Sequence, residues 1–143
     1  MLDLGAGTGK LTRRLVPFAR RIIAVEASPA MLAALREGLP DADARAGTAE
    51  AIPVPDASVD AVLAGEAFHW FRTTPACREI ARVLVPGGGL AVVWNHPLRT
   101  PDEHPWLPEF YALLSPLRKA AGRRTAEDEA WRPELERRAS SSR

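Results

Sequence analysis

Asp3-Leu4-Gly5-Ala6-Gly7-Thr8-Gly9 stands between a short apolar opening, Met1-Leu2, and a stretch of helical spacing that runs from Lys10 to Phe18. A glycine-rich turn in that setting brings bare main chain close to a ligand, because no Cβ intervenes. Three patterns compete for it. A phosphate-cradling loop of the form Gly-x-x-x-x-Gly-Lys-[Ser/Thr], aligned on Gly9-Lys10, needs glycine at position 4 and Ser or Thr at position 11; both are leucine, and that reading fails. A dinucleotide fingerprint starting at Gly5 asks for Gly or Ala where Lys10 stands, which weakens it. The third pattern is Gly-x-Gly-x-Gly with an acidic residue two positions earlier, here Asp3.

Outward from the turn, β-like and α-like stretches alternate. Leu11, Leu15 and Phe18 give Lys10 to Phe18 one apolar face, and Pro17 marks its end. Ile22 to Val25 is a continuous apolar run of the kind found in a strand covered on both faces. Ser28-Pro29 caps a second helix with Met31, Leu32 and Leu35 on its apolar side, and Gly38 is placed to end it in the left-handed region. Ala42 to Ala46 reads as a third strand, and Val59 to Leu63 as a fourth. Between them, Thr48 to Ser58 is a loop punctuated by Pro53, Pro55 and Asp56. Thr74-Pro75 opens a third helix with Cys77, Ile80, Ala81 and Leu84 as its apolar positions; Pro86-Gly87-Gly88-Gly89 stops it, and Leu90 to Trp94 is a fifth strand. The order implies an α/β fold: a doubly wound, Rossmann-like parallel sheet with helices on both faces, over residues 1–96. Ligands in such sheets lie beyond the carboxyl ends of the strands, which directs attention to residues 5–9, 26–28, 48–50 and 65–71. Residues 97–143 differ: a connection with Pro97, Pro101, Pro105 and Pro108, a helical segment from Pro108, a polar helix candidate around Trp131, and a frayed tail.

Composition narrows the function. In 143 residues, 46% are hydrophobic and 26% charged, the balance of a globular chain. Nineteen basic against 18 acidic residues leave a net charge of +1, which gives no support to a nucleic-acid partner. The single cysteine, Cys77, excludes a disulfide framework, and with three histidines no metal site is expected. No apolar run approaches the ~20 residues of a membrane span, and Met1-Leu2-Asp3 lacks a basic leader, so a cytoplasmic location and no membrane partner are expected.

Asp3 with Gly5-Ala6-Gly7-Thr8-Gly9 resembles motif I of the class I S-adenosylmethionine-dependent methyltransferases. Glu26, at the end of the second strand, stands where an acidic residue accepts hydrogen bonds from ribose hydroxyls, a placement that serves NAD and S-adenosylmethionine alike. Gly47-Thr48-Ala49-Glu50-Ala51-Ile52-Pro53 resembles the family's loop after the third strand, with Thr48 in place of its usual Asp. The segment Arg82-Val83-Leu84-Val85-Pro86-Gly87-Gly88 resembles its crossover before strand five. Glu66-Ala67-Phe68-His69-Trp70-Phe71 and Trp94-Asn95 further resemble the type 11 subgroup.

The resemblance implies S-adenosyl-L-methionine as cofactor, held by Asp3, Gly5, Gly7, Gly9, Glu26, Thr48, Ala49 and Glu66, with the adenine ring along Thr48 and Ala49. It also implies a small-molecule methyl acceptor, with Trp106, Phe110 and Tyr111 as candidate lid aromatics. Glu66 fits either the amino end of the cofactor or plain solvent exposure. His69 fits either a general base or a histidine packed into an apolar wall with Phe68, Trp70 and Phe71. The family usually places a helix before strand one and an antiparallel hairpin after strand five; neither is found here, and the chain is expected to be a fragment of a longer fold. The alternatives are an NAD(P)-dependent oxidoreductase and an inactive remnant of the fold.

Overall fold

The computed structural model describes residues 1–94 together with Pro108, Glu109 and Ala112, which are helical. The proline-rich connection, the remainder of both C-terminal helical segments, His96, His104 and the lid candidates Trp106, Phe110 and Tyr111 lie outside the described residues.

The described elements are β1 (Leu2–Leu4), α1 (Lys10–Leu15), β2 (Ile23–Glu26), α2 (Pro29–Gly38), β3 (Asp43–Ala46), β4 (Val59–Gly65), α3 (Thr73–Val83) and β5 (Leu84–Val93). Single 3-10 turns follow α1 at Val16–Phe18 and β4 at Phe68–Trp70. All five strands are parallel, in the order β3-β2-β1-β4-β5. The chain therefore winds outward from β1 to β3, then returns across β1 and winds the other way. That reversal opens a crevice beyond the carboxyl ends of β1 and β4. The expected doubly wound α/β architecture is the one found.

β1 is the centre of the sheet, paired with β2 through Leu2–Ile23, Asp3–Ala24 and Leu4–Val25 and with β4 through Leu2–Val62 and Asp3–Leu63. All three of its residues are buried, as a strand covered on both faces requires. Leu2, Leu4, Leu35, Val25, Val62, Val83 and Phe68 are fully buried, and each such apolar side chain contributes about 1.5–3 kcal/mol.

Several local expectations are corrected. In α1 the inward residue is Thr12, fully buried, while Leu11 and Leu15 are half-buried and Phe18 is exposed; the helix is turned by one residue from the apolar face because Thr12 finds a polar partner inside. In α2, Ser28 caps as expected, accepting from the Met31 N–H at 3.4 Å, but Met31 itself is exposed. Gly38 is the last helical residue and does not enter the left-handed region; the chain leaves through Leu39, whose N–H donates to Leu35 O. α3 buries Ala76, Ile80 and Val83 and leaves Ala81 exposed.

The largest correction concerns Pro86-Gly87-Gly88. α3 ends at Val83 and β5 begins at once with Leu84, paired to Val59; the next pair is Ala61–Gly89. The proline and glycines form a bulge inside β5, where a residue without N–H removes no ladder bond. Gly87 takes φ +81° there, and a Cβ on Gly88 would come within 2.9 Å of Asp60 O. Among the described residues no helix is long and apolar enough to cross a membrane.

Candidate functional site

The turn after β1 is held from below by β2: the N–H groups of Gly5 and Ala6 both donate to Val25 O, at 2.9 and 3.0 Å. Its three odd-numbered glycines all have positive φ, yet they face different things. A Cβ on Gly5 would lie 2.6 Å from that of Ala67, so this glycine lets the segment after β4 close onto the turn. A Cβ on Gly9 would lie 2.9 Å from Leu39 and 3.1 Å from Leu35; Gly9 is the point where α1 packs on α2. Only Gly7 faces open space, with nothing within 4 Å of where its Cβ would be.

Glu26 brings the turn and the end of β2 together. Its carboxylate accepts from Gly7 N–H at 2.8 Å on one oxygen and from Ser28 N–H at 2.7 Å on the other. It is buried, unlike a glutamate that merely flanks a helix cap at the surface. A carboxylate has about four acceptor positions; two are used by the backbone and two remain.

Asp3 lies deeper, 1% exposed. Its Oδ2 accepts from the Thr12 hydroxyl at 2.6 Å, and its Oδ1 is buried without a hydrogen-bond partner among the described residues. Burial pushes its carboxyl above the usual value; the Thr12 bonds pull it back, and the nearby Glu26 charge adds a smaller upward push. An orphaned buried acceptor costs about 1–3 kcal/mol. Together, the open cradle at Gly7, the spare acceptor positions of Glu26 and the orphaned Asp3 Oδ1 fit a hydroxyl-rich, cationic nucleoside such as S-adenosylmethionine.

The loop after β3 is tied to the same edge of the sheet by Gly47 N–H, which donates to Glu26 O at 3.2 Å. Thr48 is exposed, Ala49 is buried, and Thr48 and Ala51 form an isolated antiparallel bridge. The rest of the loop is held by α3. Arg82 donates to Ile52 O and Val54 O, both at 2.9 Å, to Asp56 at 2.7 Å, and to both oxygens of Glu79 at 2.7 Å. Glu79 also accepts from Ile52 N–H at 2.9 Å. The Arg82 bond holds the Glu79 carboxyl below its usual value. Glu50 accepts from Arg72 N–H at 2.8 Å and joins this loop to the start of α3. Sequence reasoning missed Thr12, Glu79 and Arg82. The local signal is weak: a Glu–Arg pair three apart on α3, which is also the spacing of a solvated pair, and a loop whose two prolines offer no N–H.

After β4 the chain turns sharply. Glu66 is exposed at φ +53°, and its N–H donates to Val93 O. Phe68 is fully buried and packs on Phe71 with ring centroids 5.5 Å apart. His69 is half-buried with its ring 5.0 Å from that of Trp70, and Trp70 is 65% exposed. Phe71 packs under the glycine turn, within 3.3 Å of a Cβ placed on Gly5. The structure thus brings Gly5, Gly7 and Glu26 together with the segment after β4, while Asp3 sits beneath them and Gly9 faces away into the helix packing.

The methyltransferase domain family matches residues 2–92 of this chain. An uncharacterized methyltransferase of Mycobacterium tuberculosis is 56% identical over 115 residues, covering 80% of this chain and 46% of its own length. The malonyl-[acyl-carrier protein] O-methyltransferase of Methylococcus capsulatus is 45% identical over 98 residues, covering 64% of this chain and 35% of its own. Among solved structures, the YcgJ protein of Bacillus subtilis superposes with a TM-score of 0.62 at 34% identity, over 82% of this chain and 51% of that one. The chain belongs to the class I S-adenosylmethionine-dependent methyltransferase family, within its methyltransferase domain group. It spans about half the length of the first curated relatives it matches.

Proposed function

We propose that this chain forms the cofactor-holding part of a methyltransferase that takes the methyl group of S-adenosyl-L-methionine and passes it to a small-molecule acceptor by in-line displacement. The observation that carries this reading is Glu26. A buried carboxylate at the carboxyl end of β2 is fixed by two backbone N–H groups and keeps two acceptor positions for a ribose. Gly5 and Gly7 give the turn its shape, Asp3 sets its floor, Ala49 and Thr48 lie beside the base, and Glu66 stands at the amino end. Gly9 contributes by docking α1 on α2.

A sulfonium supplies its own good leaving group, a neutral thioether, so the chain's task is to orient the reactants and exclude water. Orientation of that kind is worth about 7–11 kcal/mol in favourable cases. A carboxylate acceptor needs no proton removed. For a protonated acceptor, His69 is the residue after β4 that can take the proton on an imidazole nitrogen. The O-methyltransferase relative supports an acceptor of the first kind, and the balanced charge of the chain supports a small molecule over a nucleic acid.

Calorimetric titration with S-adenosylmethionine tests the reading. Glu26→Ala is expected to weaken binding by about 1.5–3 kcal/mol, the worth of hydrogen bonds to a charged group, and Asp3→Ala by less. Equal affinity for wild type and both variants would overturn the site. Binding of NADH in place of S-adenosylmethionine would favour an oxidoreductase.

A further inference from the structure

We propose that Glu79 and Arg82 of α3 are positioning residues that set base selectivity in the nucleoside site, acting through the backbone of residues 48–52. The proposal rests on the S-adenosylmethionine reading and extends it to residues that touch no ligand.

The loop from Gly47 to Asp56 cannot hold its own shape. Its internal order is the single Thr48–Ala51 bridge and a Val54 N–H to Ile52 O bond, and Pro53 and Pro55 supply no N–H. Arg82 makes up the deficit. A guanidinium has five N–H donors in a rigid fork, and here every one is directed at an acceptor: Nε at Glu79, Nη1 at Val54 O and Asp56, Nη2 at Ile52 O and Glu79. Glu79 closes the circuit by accepting from Ile52 N–H. The clasp thus grips both sides of the Ile52 peptide framework, three residues from Ala49. Lysine, with three donors on one nitrogen and no plane, cannot reproduce it.

A base lying along Thr48 and Ala49 is read by the main chain there. Discrimination by hydrogen bonds survives only while the donors and acceptors are held in place. Loosening the clasp therefore removes the distinction between bases before it removes nucleoside binding, since the ribose is held separately by Glu26.

The test uses the full chain and two probes, S-adenosylhomocysteine and its hypoxanthine counterpart S-inosylhomocysteine, in calorimetric titration. Wild type is expected to prefer the adenine compound by at least about ten-fold, the worth of one specific hydrogen bond. Arg82→Lys, with an unchanged circular dichroism spectrum, is expected to bring the ratio to within about three-fold. Glu26→Gln is expected to weaken both probes by the same factor and leave the ratio intact. A purely structural role for the clasp would lower both affinities together or neither. The proposal is overturned if Arg82→Lys keeps the wild-type ratio, if it weakens both probes equally, or if wild type binds them alike. Should wild type bind neither probe, the cofactor reading fails and takes this one with it. Should Arg82→Lys not fold, Glu79→Gln serves. It keeps one oxygen to accept from Ile52 N–H and Arg82 Nη2 and puts an NH2 where Oε1 accepts from Arg82 Nε, which opens the bidentate pair; a retained ratio there overturns the proposal equally.

Discussion

The turn after β1 and the loop after β3 lie at the same edge of one sheet and are fixed in opposite ways. The turn is shaped by what its residues lack: Gly5 and Gly9 have no Cβ, and neighbouring elements close into the space. The loop is shaped by what a distant helix supplies, a charged fork from Arg82 that ties Ile52 O and Val54 O to α3. One is rigid through exclusion of atoms, the other through added bonds. The first should therefore fail by steric collision and the second by gradual loosening.

The sharpest test of that contrast is Gly5→Ala. The new Cβ would sit 2.6 Å from Ala67 Cβ at a φ of +73°. Overpacking costs about 1–3 kcal/mol and a left-handed L-residue about 1–2 kcal/mol more, so a loss of about 2–5 kcal/mol is expected in chemical unfolding. Gly7→Ala, at φ +58° with open space around it, is expected to lose only the backbone part, about 1–2 kcal/mol. Its larger effect should be on cofactor affinity, because the methyl group enters the cradle. If the two substitutions cost the same stability, the distinction between a packing glycine and a ligand-facing one is wrong.

This division also explains what could be read from the sequence. The glycine turn, Asp3, Glu26 and the alternation of strands and helices announce themselves in local patterns, and a parallel sheet follows from that alternation; the strand order comes only from the pairing. Gly9 was legible as a glycine but not as a packing contact, because Leu35 and Leu39 approach it from a helix 26 or more residues away. Pro86-Gly87-Gly88 has the composition of a turn, and only the pairing of Leu84 with Val59 reveals a bulge within a strand. Arg82 and Glu79 have the spacing of an ordinary solvated helix pair. Nothing local shows that three of the five Arg82 donors meet a loop 26 to 30 residues earlier.

A smaller effect probes the floor of the turn. Thr12→Val removes the hydroxyl donor to Asp3 Oδ2 and leaves the buried carboxyl only the main-chain bond of residue 12, at a cost of about 1–3 kcal/mol. The sign of its pH dependence follows from Asp3, whose carboxyl burial raises above 3.8. A raised acid contributes stability that is fully present below its unfolded value and is lost as pH rises through its folded value. Thr12→Val deepens that loss by removing a bond to the ionised form. The gap between variant and wild type in urea unfolding should therefore be narrow below pH 3.8 and wide at neutral pH. A gap that widens in acid would mean that the bond serves the protonated form.

The smallest effect belongs to the outer tether of the β3 loop. Asp43 accepts from Arg45 Nε and Nη2 at 2.8 Å each and from Arg21 at 2.9 Å, and Arg45 reaches on to Pro53 O at 2.9 Å. Hydrogen bonding to Arg45, more than the Arg21 contact, holds the Asp43 carboxyl down to about 2. A lowered acid stabilises above its unfolded value of 3.8 and loses that contribution as pH falls toward about 2. The carboxylate is about a third exposed and Arg21 mostly so, which water screens strongly; the pair is worth about 0.2–1 kcal/mol. Asp43→Asn should therefore cost about 0.2–1 kcal/mol at neutral pH, progressively less as pH falls from 3.8 toward about 2, and nothing well below that. Raising the salt concentration should shrink the difference, since the Debye length contracts to about 3 Å at 1 M. The loop stays clasped from α3 in this variant, so base selectivity should survive. A loss of selectivity with Asp43→Asn as large as with Arg82→Lys would place control of the loop at the sheet edge rather than on the helix.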